Sequence, residues 1–170
     1  MRKAEIVFAK KESFMEKLHI EKKAADNKYL HRDFHVSADI GITYVGENYG
    51  DDAVKDYLTQ YAKSFYKLLA KDVKEKGLVA LKENFENVYR KEEWTEHVHY
   101  ELTDKMLKVK VDKCPAVIYM KSTGHTPSKW YKETTYTVYA VLAEMCNLKF
   151  TVNYYNEEDG STEFTFIKEK

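Results

Sequence analysis

The sequence predicts an α+β fold, in which a helical N-terminal half packs on a four-stranded antiparallel sheet made of two hairpins separated by two helices. Two observations predict this. Apolar residues recur every three or four positions as far as Trp94, and then every second position in residues 97–112 and 148–168. The Lys- and Glu-rich residues 1–27 are expected to form an N-terminal helical extension, and residues 28–170 a single α+β domain.

Three helices are predicted in the N-terminal half of the domain. The first covers residues 28–47, where apolar residues keep a helical period. The second begins at Asp51, a good capping residue, and ends at Gly77, a common helix stop. The third begins at Leu78 and ends before Trp94.

The two hairpins are predicted from strict alternation of apolar and polar residues. The first consists of residues 97–102 and 106–112, and the second of residues 148–155 and 162–168. Each has one apolar face for a core and one polar face for water.

Two helices are expected between the hairpins. Pro115 stands at the first helical position of a short helix that Gly124 ends. Ser128 is then expected to cap a longer helix that runs to about Cys146.

The composition excludes several classes of protein. Among 170 residues, Lys+Arg and Asp+Glu are both 28, so charge gives no reason to expect nucleic acid or an anionic membrane as partner. No apolar run approaches the roughly 20 residues of a membrane-spanning helix. The first residues carry charges where a signal peptide has its apolar core. We therefore expect a cytoplasmic protein, whose two cysteines are free thiols.

Cys114 is the strongest candidate for chemistry, because it precedes Pro115 at the predicted start of a helix. The positive end of the helix dipole and the charge of Lys113 would favour the thiolate, so we expect a thiol pKa below the usual value of about 8.5. A nucleophile, a metal ligand or an anion site could each use such a group. The alternative is a buried, unreactive core cysteine.

His31 and His35 stand four residues apart, so a helix would place both imidazoles on one face. That spacing suits a divalent metal or an acid–base pair, but it also occurs on solvated helix faces. A metal would need a third ligand, for which Cys114 is the candidate. His125 follows Gly124 in a turn and could line the mouth of a pocket.

Several short motifs resemble the L-2-amino-thiazoline-4-carboxylic acid hydrolase family over about residues 29–167. They are His31-Arg32-Asp33-Phe34-His35, Gly41-Ile42, Tyr49-Gly50-Asp51-Asp52-Ala53, Gly77-Leu78 and Lys113-Cys114-Pro115-Ala116. The resemblance also implies kinship with the four-vinyl-reductase and haem-NO-binding-like domains, in which helices pack on a small antiparallel sheet and dimers are common.

The resemblance implies hydrolysis of a cyclic amidine to N-carbamoyl-L-cysteine. Matched by motif, Cys114, His31, His35 and Asp33 become the expected catalytic residues. By charge, Arg32 is a candidate for the substrate carboxylate, and His125 is a second candidate for substrate binding. A divalent metal on His31, His35 and Cys114 is a possible cofactor.

Two other functions remain open at this point. The chain departs from the family pattern in residues 130–134 and 160–164, where the family often has further Cys and His residues. This favours, as the alternative, a non-enzymatic small-molecule-binding or sensor domain, with an apolar pocket lined by tyrosines and tryptophan and with Cys114 buried and inert. The last possibility is an interaction module. We expect a homodimer because the helical stripes include extra aromatic residues, namely Tyr57, Tyr66, Tyr136 and Tyr139.

Overall fold

A computed structural model describes residues 28–169 of the chain, and the side chains of residues 34–169. The predicted N-terminal extension, residues 1–27, lies outside this part. Six α-helices and four β-strands make up the described domain. The helices are α1 (Lys28–Tyr49), α2 (Asp51–Phe65), α3 (Lys67–Lys76), α4 (Leu78–Lys91), α5 (Pro115–Ser122) and α6 (Glu133–Met145). The strands are β1 (Val98–Leu102), β2 (Met106–Val111), β3 (Leu148–Tyr155) and β4 (Thr162–Lys168).

The strands form one antiparallel sheet in the order β1-β2-β4-β3, so the predicted α+β class is confirmed. The two hairpins join through β2 and β4. Val109 of β2 lies opposite Tyr100 of β1 on one side and Phe164 of β4 on the other. The pairing of β3 with β4 shifts register between Val152 and Tyr154, which is a bulge close to the turn.

Two predicted helix boundaries are wrong. The helix expected from Asp51 to Gly77 is broken at Tyr66, whose backbone (φ −92°, ψ 9°) leaves the helical region. The side chain of Tyr66 packs against both halves of the core, which explains why the break is tolerated there. The helix expected to begin after Ser128 begins at Glu133, because Ser128 bonds to Asp39 instead of capping a helix.

The core has two parts that share Tyr66, Tyr139 and Met145 at their boundary. One part lies between the sheet and helices α3, α4 and α6, and it contains Phe164 and Phe166. The other lies among α1, α2, α5 and α6. Tyr131 is buried in the second part, and Cys114 and Trp130 pack against it.

The aromatic residues expected on a dimer surface divide into two groups. Tyr57 and Tyr136 are exposed, whereas Tyr66 and Tyr139 are half-buried and pack against the core. The homodimer itself stays a prediction. Among the described helices, none is long and apolar enough to cross a membrane.

Candidate functional site

Cys114 occupies the position that the sequence predicts for it. It follows β2 and is the N-cap residue of α5, in an extended conformation (φ −78°, ψ 121°) with Pro115 next. Its backbone N–H donates to the carbonyl of Asp159, 3.0 Å away in the turn between β3 and β4. The thiol therefore lies at the start of a helix, beneath a hairpin turn.

The pKa predicted for this thiol is wrong in direction. Burial raises the pKa of Cys114, and it outweighs the backbone N–H groups of Val117 and Ala116, which lower it. Negative charges on Glu92 and Asp159 raise the pKa further. The residue keeps some accessible surface, but the atoms around its sulfur remove enough water for desolvation to dominate. The helix end acts on the thiol as expected, but Cys114 is a neutral thiol at neutral pH.

Four tyrosines lie near enough to this thiol for a negative charge on it to raise their pKa values, and together with Cys114 we call them the Cys114 cluster: Tyr89, Tyr131, Tyr139 and Tyr155. Burial is the largest cause of the raised pKa of each phenol, and repulsion from a Cys114 thiolate adds to it in all four. The phenols come from α4, the loop before α6, α6 itself and β3. Separate elements thus bring five weakly acidic, uncharged groups to one place inside the domain.

His35 lies at the edge of the Cys114 cluster and is held from both sides. Its Nε2 is 3.0 Å from Oε1 of Glu92, which is buried, and its Nδ1 is 3.5 Å from the hydroxyl of Tyr131. A neutral imidazole fits when Nε2–H donates to Glu92 and Nδ1 accepts from the hydroxyl. The chain Glu92–His35–Tyr131 therefore leads from a buried carboxylate to the Cys114 cluster.

The other predicted residues of the His31–His35 motif are on α1, but the side chains of His31, Arg32 and Asp33 lie outside the described residues. Their roles stay predictions. Among the described side chains, no group of three His, Cys, Asp or Glu residues is placed to hold a metal.

His125 belongs to a different arrangement, a buried clamp centred on Asp39. The carboxylate of Asp39 is fully buried and lies 2.7 Å from Nε2 of His125. It also accepts hydrogen bonds from the hydroxyl of Ser128, at 2.7 Å, and from its backbone N–H. These contacts fasten the loop between α5 and α6 to α1. The same loop carries Tyr131, so the clamp positions a member of the Cys114 cluster.

A second contact holds the loop to α1 nearby. The ring of Trp130 lies against Gly46, where an added Cβ would come within 2.5 Å of the ring. Its Nε1–H donates to Asp51 at 2.6 Å. Only glycine at position 46 leaves room for this ring.

Sequence reasoning missed Glu92, Tyr131 and Asp39. Glu92 follows α4 in a charged stretch and looks like a solvated residue. Tyr131 is one of 14 tyrosines, and nothing in the sequence distinguishes it from the others. Asp39 carried a weak signal, because it is a charged residue on the face of α1 that also holds the buried Ile42.

Comparison with protein-family models, with curated proteins and with solved structures gives no match for this chain. The resemblance to the thiazoline hydrolase family therefore stays a prediction that depends on the motifs alone.

Proposed function

We propose that the chain is a small-molecule-binding domain, with the Cys114 cluster as its ligand site. The observation that supports this is a set of four phenols and a neutral thiol, each with a pKa raised by burial, beside the His35–Glu92 pair. Clusters of ionisable groups with perturbed pKa values are common at binding sites.

The chemistry of the cluster favours a small planar ligand with hydrogen-bonding groups. Phenol hydroxyls both donate and accept hydrogen bonds, and their rings offer flat apolar faces. A cyclic amidine such as 2-amino-thiazoline-4-carboxylate fits that description and is the ligand that the motif resemblance implies. We therefore take this amidine as the probe.

The first experiment is isothermal titration of the full chain with 2-amino-thiazoline-4-carboxylate. Tyr131→Phe removes one hydroxyl from the site and keeps its shape, so the Kd should rise about fivefold, as for one lost hydrogen bond of about 1 kcal/mol. Tyr154→Phe is the control, because Tyr154 is exposed on β3. No heat of binding in the wild type, or equal affinities for both variants, would contradict the proposal.

A second candidate is the hydrolase, and the chain Glu92–His35–Tyr131 favours it. A carboxylate that orients an imidazole near a nucleophile is the usual means of activating a thiol or a water. Because the Cys114 thiol is protonated, the nucleophile would be a water, from which His35 would take the proton that the leaving sulfur later receives. One water would add to the ring carbon between sulfur and nitrogen, the C–S bond would break, and the sulfur would take a proton.

Product analysis separates the two candidates. The hydrolase requires N-carbamoyl-L-cysteine to accumulate with the wild type and to disappear with His35→Gln. His99→Gln is the matched control, because His99 pairs with Asp112 at 2.9 Å on the exposed sheet face. Binding without product supports the binding domain. The expected cytoplasmic location remains part of this proposal and is supported by the composition alone.

A further inference from the structure

We propose that the turn between β3 and β4, residues 156–161, is a flap that covers Cys114 and opens to admit molecules to the Cys114 cluster. This inference rests on the proposed function, since it supplies the access route to that site. Three features of the turn support it: its packing on Cys114, its contacts with the helices below, and the hydrogen bonds within it.

The turn packs directly on the cysteine. Gly160 is buried, and a Cβ added there would lie 2.5 Å from Cβ of Cys114 and 2.8 Å from Cγ2 of Val117. Both separations are far inside van der Waals contact. No side chain separates the flap from Cys114, because the backbone of the flap itself is the cover.

Few contacts hold the flap to the helices below it. The N–H of Cys114 donates to the carbonyl of Asp159, and Lys121 Nζ donates to the carbonyl of Glu158. Lys132 pairs with Glu157 at 2.6 Å, and these side chains are 39% and 64% exposed. Exposed pairs of this kind contribute little and weaken in salt, so the Lys132–Glu157 pair adds little to the energy that keeps the flap closed.

Internal hydrogen bonds make the flap a unit that can move as one piece. The N–H of Asn156 donates to the carbonyl of Ser161, and the N–H of Gly160 donates to the carbonyl of Asn156, both at 2.9 Å. The side chains of Asn156 and Asp159 accept from the N–H groups of Glu158 and Ser161. The bulge between Val152 and Tyr154 bends β3 two residue pairs before the flap.

The test is the rate at which iodoacetamide alkylates Cys114 in the full chain, read by peptide mass spectrometry. Gly160→Ala places a methyl group where Cys114 and Val117 lie, so it should displace the flap and raise the rate at least about tenfold, as for an opening made easier by about 1.4 kcal/mol. Gly124→Ala is the matched control. Gly124 also has a positive φ, 80° against 68°, but has no atom within 4 Å of an added Cβ. Cys146 in the same sample serves as the internal reference.

A milder variant keeps the proposal falsifiable if Gly160→Ala fails to fold. Glu157→Gln removes the charge that pairs with Lys132, and it should raise the Cys114 rate by up to about fivefold. Glu101→Gln is its control, since it breaks the comparable pair with Lys108 on the sheet. Unchanged Cys114 rates in both flap variants would overturn the proposal, as would equal increases in the controls. The assay uses no ligand, so failure of the flap and failure of ligand binding are distinguishable.

Discussion

Removal of the Asp39 carboxylate should destabilise the domain more than removal of the exposed Asp112 carboxylate, which also pairs with a histidine. Asp39 is 0% exposed, and it accepts from His125 Nε2 as well as from the hydroxyl and the N–H of Ser128. Asp39→Ala leaves these donors without their acceptor in the interior. Breaking a buried charged contact of this kind costs about 3–5 kcal/mol.

The expected fall in Tm is large enough to measure by thermal unfolding. For a chain of this size, each kcal/mol lowers the Tm by about 2–4 °C, so a loss of about 4 kcal/mol corresponds to about 8–16 °C. Thermal unfolding followed by far-UV circular dichroism measures it. Asp112→Ala is the control, because Asp112 also pairs with a histidine, at 2.9 Å, but is 39% exposed. That exposed pair contributes at most about 1 kcal/mol. If the two variants unfold within about 2 °C of each other, the clamp does not hold the loop as we infer.

Three further outcomes are expected. Burial raises the pKa of seven described tyrosines. Their neutral forms stabilise the fold fully below the ordinary phenol pKa of about 10, and this stabilisation is lost as the pH rises through the raised values. In an alkaline titration, the tyrosinate absorbance of these seven of the 14 tyrosines should therefore appear together with unfolding, and a smooth titration of all tyrosines with circular dichroism unchanged would refute this. Near neutral pH, Cys114 and Cys146 should both alkylate more slowly than a free thiol, since burial raises the pKa of both, to about 11 at Cys146. A Cys114 rate faster than that of a free thiol would support the lowered pKa that the sequence predicts. Gly46→Ala should cost about 1–3 kcal/mol and alter the fluorescence of Trp130, whereas Gly41→Ala on the same helix, with no atom within 4 Å of the new Cβ, should be neutral or stabilising.

The fold was predictable because periodicity records which face of each element meets the core. The change of period after Trp94 located all four strands to within one residue at each end. The two errors arose where a tertiary contact overrides a local preference. The helix is interrupted at Tyr66, whose side chain packs against the core. The hydroxyl of Ser128 donates a hydrogen bond to Asp39 and does not cap α6.

Only the features of the site that depend on neighbouring residues in the sequence were predictable. The N-cap position of Cys114 follows from its neighbours in sequence, and the structure confirms it. Its pKa depends on burial by distant residues, and that effect has the opposite sign to the helix end. Glu92 and Tyr131 meet His35 across 57 and 96 residues of sequence, so no spacing rule could have selected them.

We propose above that the Cys114 cluster holds a small molecule. Native mass spectrometry of the full 20.0 kDa chain, mixed with 2-amino-thiazoline-4-carboxylate, tests it most directly. We expect a one-to-one noncovalent complex that is lost when Cys114 has first been alkylated and is kept when only Cys146 is blocked. A spectrum that shows the bare chain alone, or a complex that survives alkylation of Cys114, would contradict it.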